Sequence, residues 1–293
     1  MSFVVRTDTS ANLEKAQILD NELQVIPFSY IIDGEEHNIL QEEHFNAEEY
    51  YARIRSGMKV ATSQIPPRQY ADFFEPALRE GQDIIFICMS SGISGSFNSA
   101  RIVAQMMMQA YPGRRIEIID TLGASLGEGI IALQAARLRR LGKNIAEAAA
   151  DLRVHVRRMF QVFTVDDLMH LRRGGRLSNL SAVVGTVLQI KPLLKGNEEG
   201  RIVAFSKVRG RKRSVEMLAE EYDRYVVAPE TQTVGIAQAG CRDDAERLAS
   251  LIRRNRPPRE ILTVEYEPVT GSHVGPGALA LFFEGADDVR SCG

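Results

Sequence analysis

The sequence predicts an α/β protein built as an N-terminal α/β/α domain with a mostly parallel sheet, residues 1–160, and a C-terminal α+β domain, residues 161–293. Three observations predict it. Two continuous apolar runs, 84–89 and 116–119, read as strands buried on both faces of a parallel sheet. Each is followed by a helical pattern, and such alternation builds an open parallel sheet. After Gly174-Gly175 the texture changes to mixed strands and helices, which places a boundary near residue 160.

The elements follow in order. Residues 3–6 form a β-branched strand ending in the polar turn Asp8-Thr9-Ser10-Ala11-Asn12. Residues 25–32 form a strand and 42–56 a polar helix. A Met-rich helix over 98–110 is ended by Pro112, and its Met106-Met107-Met108 reads as core packing. A helix over 129–141 has Gly142 as its stop. Asn144 opens the next helix, and Glu147 three residues later completes a capping box. Ile145, Ala148, Ala149, Leu152 and Val156 then follow the helical period. Residues 160–165 read as a strand and 166–173 as a short helix. Further strands are expected at 188–194, 200–208, 234–237 and 261–266, with helices at 214–225 and 243–255; 253–258 reads as a turn.

The chain has 293 residues, 44% hydrophobic and 25% charged, the mix of a soluble globular protein. Its net charge of -2 argues against a general nucleic-acid binder. Three cysteines with no CxxC pair argue against a disulfide framework or a cysteine zinc site. Cys88 reads as core. The N-terminus does not read as a signal peptide, and no apolar run nears the roughly 18 residues of a membrane span. A cytoplasmic location is expected.

Three loops rich in hydroxyls and glycines carry the chemistry: Thr62-Ser63-Gln64, Ser90 to Ser96, and Gly271 to Gly277. The second follows a strand and opens a helix, where unpaired N–H groups and the helix dipole favour an anion. Parallel sheets bind ligands at the carboxyl ends of their strands. The loops 8–10, 90–96 and 120–125 occupy that place. The expectation is an anionic head group held by neutral donors.

Other chemistries are weaker. Gly92-Ile93-Ser94-Gly95-Ser96 resembles a nucleophile elbow but has Ser96 where the last glycine belongs; His273 follows it in triad order, so a serine esterase or acyl hydrolase using Ser94 remains the alternative. The GK[ST] ending of a phosphate loop is absent. The five histidines, His37, His44, His155, His170 and His273, form no metal-binding pattern, so no metal is expected. His273 differs because glycines and Pro276 surround it. It can cap its turn, complete an anion site or orient an arginine. Arg172 and Arg173 suit a helix C-terminus, whereas Arg176 lies past the glycine cap.

The ordered set of motifs resembles the DegV family of fatty-acid-binding proteins, called FakB where the function is assigned. The matches are Thr7 to Leu13, Thr62 to Pro67, Ser90 to Ala100, Asp120-Thr121 with Ser125 to Gly129, Phe163 to Ser178, Lys191 to Leu194, Arg209 to Lys212 and His273 to Ala278. They cover nearly the whole chain. Two stretches depart from the family pattern: Gln238-Ala239-Gly240-Cys241 stands where His-Gly-Asn is common, and Thr7-Asp8-Thr9 where Asp-Ser-Thr is usual.

The resemblance implies a two-domain fold that buries one long-chain fatty acid such as palmitate or oleate. It implies a carrier with no chemistry of its own and no cofactor. A separate fatty acid kinase would convert the presented acid to acyl phosphate for phospholipid synthesis, and lipid exchange would involve transient membrane contact. On this carry-over Thr62 and Ser94 hold the carboxylate, and His273 with Arg173 forms a supporting polar pair. Ser63, Gly95, Ser125 and Gly275 belong to the same fatty-acid-binding set, while Arg176 and Arg209 meet the kinase.

Overall fold

The computed structural model describes residues 3–42, 45–178 and 189–292. Its strands are β1 Phe3–Asp8, β2 Gln24–Ile26, β3 Ser29–Ile32, β4 Glu35–His37, β5 Val60–Ser63, β6 Asp83–Cys88, β7 Ile116–Asp120, β8 Met159–Thr164, β9 Ile190–Gly196, β10 Ile202–Arg209, β11 Thr233–Gln238, β12 Glu260–Glu265 and β13 Leu279–Glu284. They form three sheets. The first is wholly parallel, in the order β2-β1-β6-β7. The second is mixed, in the order β10-β9-β8-β13-β11-β12, and the third is a small antiparallel sheet, β4-β3-β5.

Every residue of β6 is buried, as its unbroken apolar run requires in the middle of a parallel sheet. The helix Ser96–Ala110 follows β6 and Leu126–Arg140 follows β7. Asn144 caps Ile145–Arg158, accepting from Ala146 N at 3.0 Å and Glu147 N at 3.0 Å, while Asn144 N donates to Glu147 Oε2 at 3.1 Å. That is the capping box expected from the spacing.

In β8 and β13 the side chains alternate between two cores. Phe160, Val162, Leu279, Leu281 and Phe283 pack beneath the helices Arg211–Tyr225 and Arg242–Asn255. Phe163, Ala280 and Phe282 face the first sheet and join its core. The period of two thus gives the second sheet one face toward its helices and one toward the rest of the chain.

Several expectations change. The run 25–32 is two strands, because Pro27 lacks the N–H that a continuous ladder needs. The polar helix is Ala47–Arg55, shorter than 42–56; residues 43 and 44 lie outside the described residues, as does Leu188 of the strand expected at 188–194. The short helix is Met169–Arg173. The stretch read as a glycine-rich loop at 271–277 is largely the helix Pro268–Val274. Its signal was Pro at the first turn after Glu267, whose carboxylate caps it. β5, β13 and the helix Pro67–Arg79 were also missed.

Candidate head-group site

The helix Pro268–Val274 is anchored at several points. Glu267 accepts from Val269 N at 2.7 Å and Thr270 N at 2.6 Å. Tyr50 donates to Pro268 O at 2.8 Å and Tyr51 to Tyr266 O at 2.6 Å. Gly271 lets the helix approach, since a Cβ there would fall 2.0 Å from the Tyr51 hydroxyl. The last turn of this helix presents His273.

Thr62 reaches the same place on β5, paired with Tyr30 of β3. His273 Nε2 and Thr62 Oγ1 are 2.9 Å apart. Burial, reinforced by Arg176, pushes the imidazole down to about 4, so it is neutral near pH 7. With the ring proton on Nε2, the imidazole donates to Thr62 Oγ1, and the threonine proton is free for a ligand.

Ser94 stands opposite, just before the helix Ser96–Ala110. Its hydroxyl donates to Ser96 Oγ at 3.0 Å and accepts from Ser96 N at 3.2 Å. Thr62, Ser63, Ser94, His273 and Arg176 all line one cavity of about 110 Å³ between the first and second sheets. The rest of its wall is mostly apolar, with Met89, Ile93, Leu122, Phe163, Ile202 and Phe282 prominent. Arg176 donates to Gly174 O, and burial lowers its pKa.

The other expected residues are placed differently. Ser125 lines the cavity, but its hydroxyl lies 3.3 Å from Asn12 Oδ1 and is engaged there. Gly95 packs against the Gln64 amide, and Gly275 against the His170 ring. Arg173 is exposed, and the cation beside His273 is Arg176, which the resemblance had assigned to the kinase. Arg209 is exposed at the end of β10. His44 lies outside the described residues.

The first loop, 8–10, does not join this anion site. Asp8, Ser10 and Glu128 are buried together: Ser10 Oγ lies 2.5 Å from Asp8 Oδ1 and 2.6 Å from Glu128 Oε2. Thr7 donates to Glu128 Oε1 at 3.0 Å. Burial raises both carboxyl pKa values, and Asp8 pushes Glu128 up further. Near pH 7 Asp8, raised to about 6, is still ionised and would repel a carboxylate ligand.

The esterase alternative finds no support in this geometry. Ser94 bonds to Ser96, while the imidazole of His273 bonds to Thr62. A serine nucleophile needs a base within hydrogen-bond reach. Among the described residues, no group of three or more His, Cys, Asp or Glu could hold a metal ion, and no helix is long and apolar enough to cross a membrane.

A family model described as an uncharacterised protein of the DegV family matches residues 2–286. The chain belongs to the DegV family. A DegV domain-containing protein of Clostridium perfringens is 36% identical over 283 residues, covering 97% of each chain. A DegV family protein from Thermus thermophilus, described for its fatty acid binding, superposes with a TM-score of 0.88 at 28% identity, covering 98% of this chain and 100% of its own. A fatty acid binding DegV family protein from Streptococcus agalactiae gives 0.85 at 28%, covering 98% and 99%. The α/β architecture, a parallel sheet with a second, mixed sheet, is therefore that of solved DegV proteins.

Proposed function

We propose that this protein binds one long-chain fatty acid, of the palmitate or oleate class, with its carboxylate at Thr62 and Ser94. The observation that carries the reading is the neutral His273 bonded to Thr62 in the wall of a mostly apolar cavity. The imidazole orients the threonine hydroxyl, Ser94 adds a second donor by turning its proton from Ser96 to the ligand, and Arg176 supplies positive charge nearby. Hydrogen bonds to an ionised acceptor are shorter and stronger than neutral ones. The solved relatives described as fatty acid binding support the ligand class.

On this reading residues 1–160 carry the carboxylate loops and 161–293 complete the lipid cavity. Each methylene moved from water into it contributes about 0.8 kcal/mol. The cavity, about 110 Å³, is smaller than the roughly 300 Å³ at which ligand pockets begin. Loading therefore displaces unbranched or flexible wall side chains such as Met89 and Leu122. The bound acid would be presented, in the cytoplasm, to a partner fatty acid kinase that forms acyl phosphate. Arg209 is the exposed cation suited to that meeting, and exchange of the acid would involve transient membrane contact. The protein itself would perform no catalysis and need no cofactor.

The test is extraction of the protein as isolated, followed by mass spectrometry of the organic phase. A stoichiometric fatty acid is expected. An empty extract, together with no uptake of added palmitate or oleate, would overturn the reading.

A further inference from the structure

The turn that carries Ser94 begins at Ser90, just past the end of β6. Ser90 is fully buried, and each of its polar groups is engaged. Its N–H donates to Gly123 O at 2.8 Å, in the loop that follows β7. Its carbonyl accepts from Ile93 N at 3.2 Å and from Ser94 N at 3.1 Å. Its hydroxyl accepts from Gly92 N at 3.1 Å and donates to Gly200 O at 2.8 Å. A serine hydroxyl has one proton to give. Here it goes to the connection between β9 and β10, which belongs to the second sheet.

The fit around that hydroxyl is close on both sides. A Cβ at Gly200, whose φ is +68°, would fall 2.2 Å from Ser90 Oγ, and one at Gly92 would fall 2.5 Å from Glu199 O. The connection is itself fixed. Asn197 N donates to Arg201 O at 2.9 Å, Arg201 N to Asn197 Oδ1 at 2.8 Å and Gly200 N to Asn197 O at 3.0 Å. The buried Arg290 donates to Asn197 O at 3.3 Å and to Leu122 O at 2.9 Å, which ties the connection to the loop after β7. Ser91 N donates to Asp120 Oδ1 at 3.1 Å, at the start of that same loop.

Ser94 depends on this support. Its N–H is held by Ser90 O, and its hydroxyl bonds to Ser96, from which a ligand must take the proton. A donor serves a ligand only when neighbouring bonds hold it within about 0.5 Å of the productive place. Ser90 does not line the cavity, whereas Ser94 and Gly200 do.

We propose that Ser90 is a positioning residue of the head-group site: its hydroxyl, bonded to Gly200, holds the turn so that Ser94 meets the carboxylate. Ser90 acts on the acid through Ser94. The second sheet thereby fixes a donor that the first sheet presents. This rests on the fatty-acid reading above and adds the residue that places one of its donors.

A double-mutant cycle tests it. Ser90→Ala is made alone, with Ser94→Ala and with Thr62→Ala, and palmitate is titrated into each delipidated protein. A residue that acts through Ser94 matters only while Ser94 is present. Ser90→Ala should weaken binding about tenfold in the wild-type and Thr62→Ala backgrounds, and less than about twofold in the Ser94→Ala background. Ser90→Cys keeps a weak donor and should bind more tightly than Ser90→Ala.

Equal loss in all three backgrounds would make Ser90 a general support of the cavity and overturn the proposal, as would wild-type affinity in Ser90→Ala. Should Ser90→Ala fail to fold, Ser90→Cys takes its place in the same backgrounds and the same outcomes decide. If neither folds, Ser90 holds the fold rather than the donor, and the proposal falls. In each of these cases palmitate binding by wild type leaves the fatty-acid reading standing. No binding by wild type would overturn both.

Discussion

Two hydroxyl-rich regions at the ends of strands differ in the charge that surrounds them. Around Thr62 and Ser94 the neighbours are a neutral imidazole and a guanidinium. Around Thr7 and Ser10 they are the buried carboxyls of Asp8 and Glu128, with the buried Glu267 nearby. Hydroxyls donate as readily in one place as in the other. In the first region the hydroxyls bond only to neutral partners, His273 and Ser96, and in the second they are engaged by the protein's own acids. Hydroxyl-rich loops alone therefore do not make an anion site; the buried charge beside them decides.

The largest effects should fall on ligand affinity and separate the two regions. Thr62→Ala and Ser94→Ala should each weaken fatty-acid binding by about 1–3 kcal/mol, because a buried carboxylate oxygen loses a donor. Glu128→Gln should leave affinity at the wild-type level. Titration of delipidated protein with palmitate measures all three, and equal losses in the two regions would erase the distinction drawn between them.

Stability should respond the other way. Glu128→Ala leaves Thr7 without its acceptor and Ser10 with Asp8 alone, and should cost about 2 kcal/mol of unfolding free energy in urea. Glu128→Gln keeps an acceptor and a donor and should cost less. If the two variants are equally stable, the hydrogen-bonded cluster does not hold the first loop.

A third contrast is the sign of the pH dependence. Burial pushes Glu267 up from 4.5 to about 7, so its folded form favours the proton. Its contribution to stability is full below about 4.5 and is lost as pH rises toward 7. His273 is pushed down from 6.5 to about 4. Its contribution is full above about 6.5 and is lost as pH falls toward 4. Between these limits the two slopes oppose. Tm measured against pH should rise more steeply with pH for Glu267→Gln than for wild type, and less steeply for His273→Gln.

The smallest effects should sort the arginines. Arg176→Ala should weaken palmitate binding by about 1 kcal/mol, since it removes the cation beside the head group. Arg173→Ala should leave binding unchanged. Arg209→Ala should spare binding and slow acyl phosphate formation by a partner kinase. Equal loss of affinity in the Arg176 and Arg173 variants would return the supporting role to Arg173.

Much of the parallel sheet was legible because its signals are local. The run at 84–89 announces a buried strand, and Asn144 with Glu147 announces a helix start, each through residues a few positions apart. Thr62, Ser94 and His273 were legible as hydroxyls and a histidine among glycines, and through family resemblance. β13 was missed although Leu279 to Phe283 is an unbroken apolar run.

The sequence by itself determined which segments become strands and helices, where several of them are capped, and which residues bear hydroxyls near strand ends. Those properties depend on neighbours within about one helical turn or one alternation of a strand. The tertiary structure alone decided that Arg176 rather than Arg173 stands beside His273, that Asp8 faces Glu128, and that Gln161 bonds to Leu122 and Ala124. Each pairing joins residues from different elements, and a buried charge or amide acts on whatever the fold brings within a few ångströms of it.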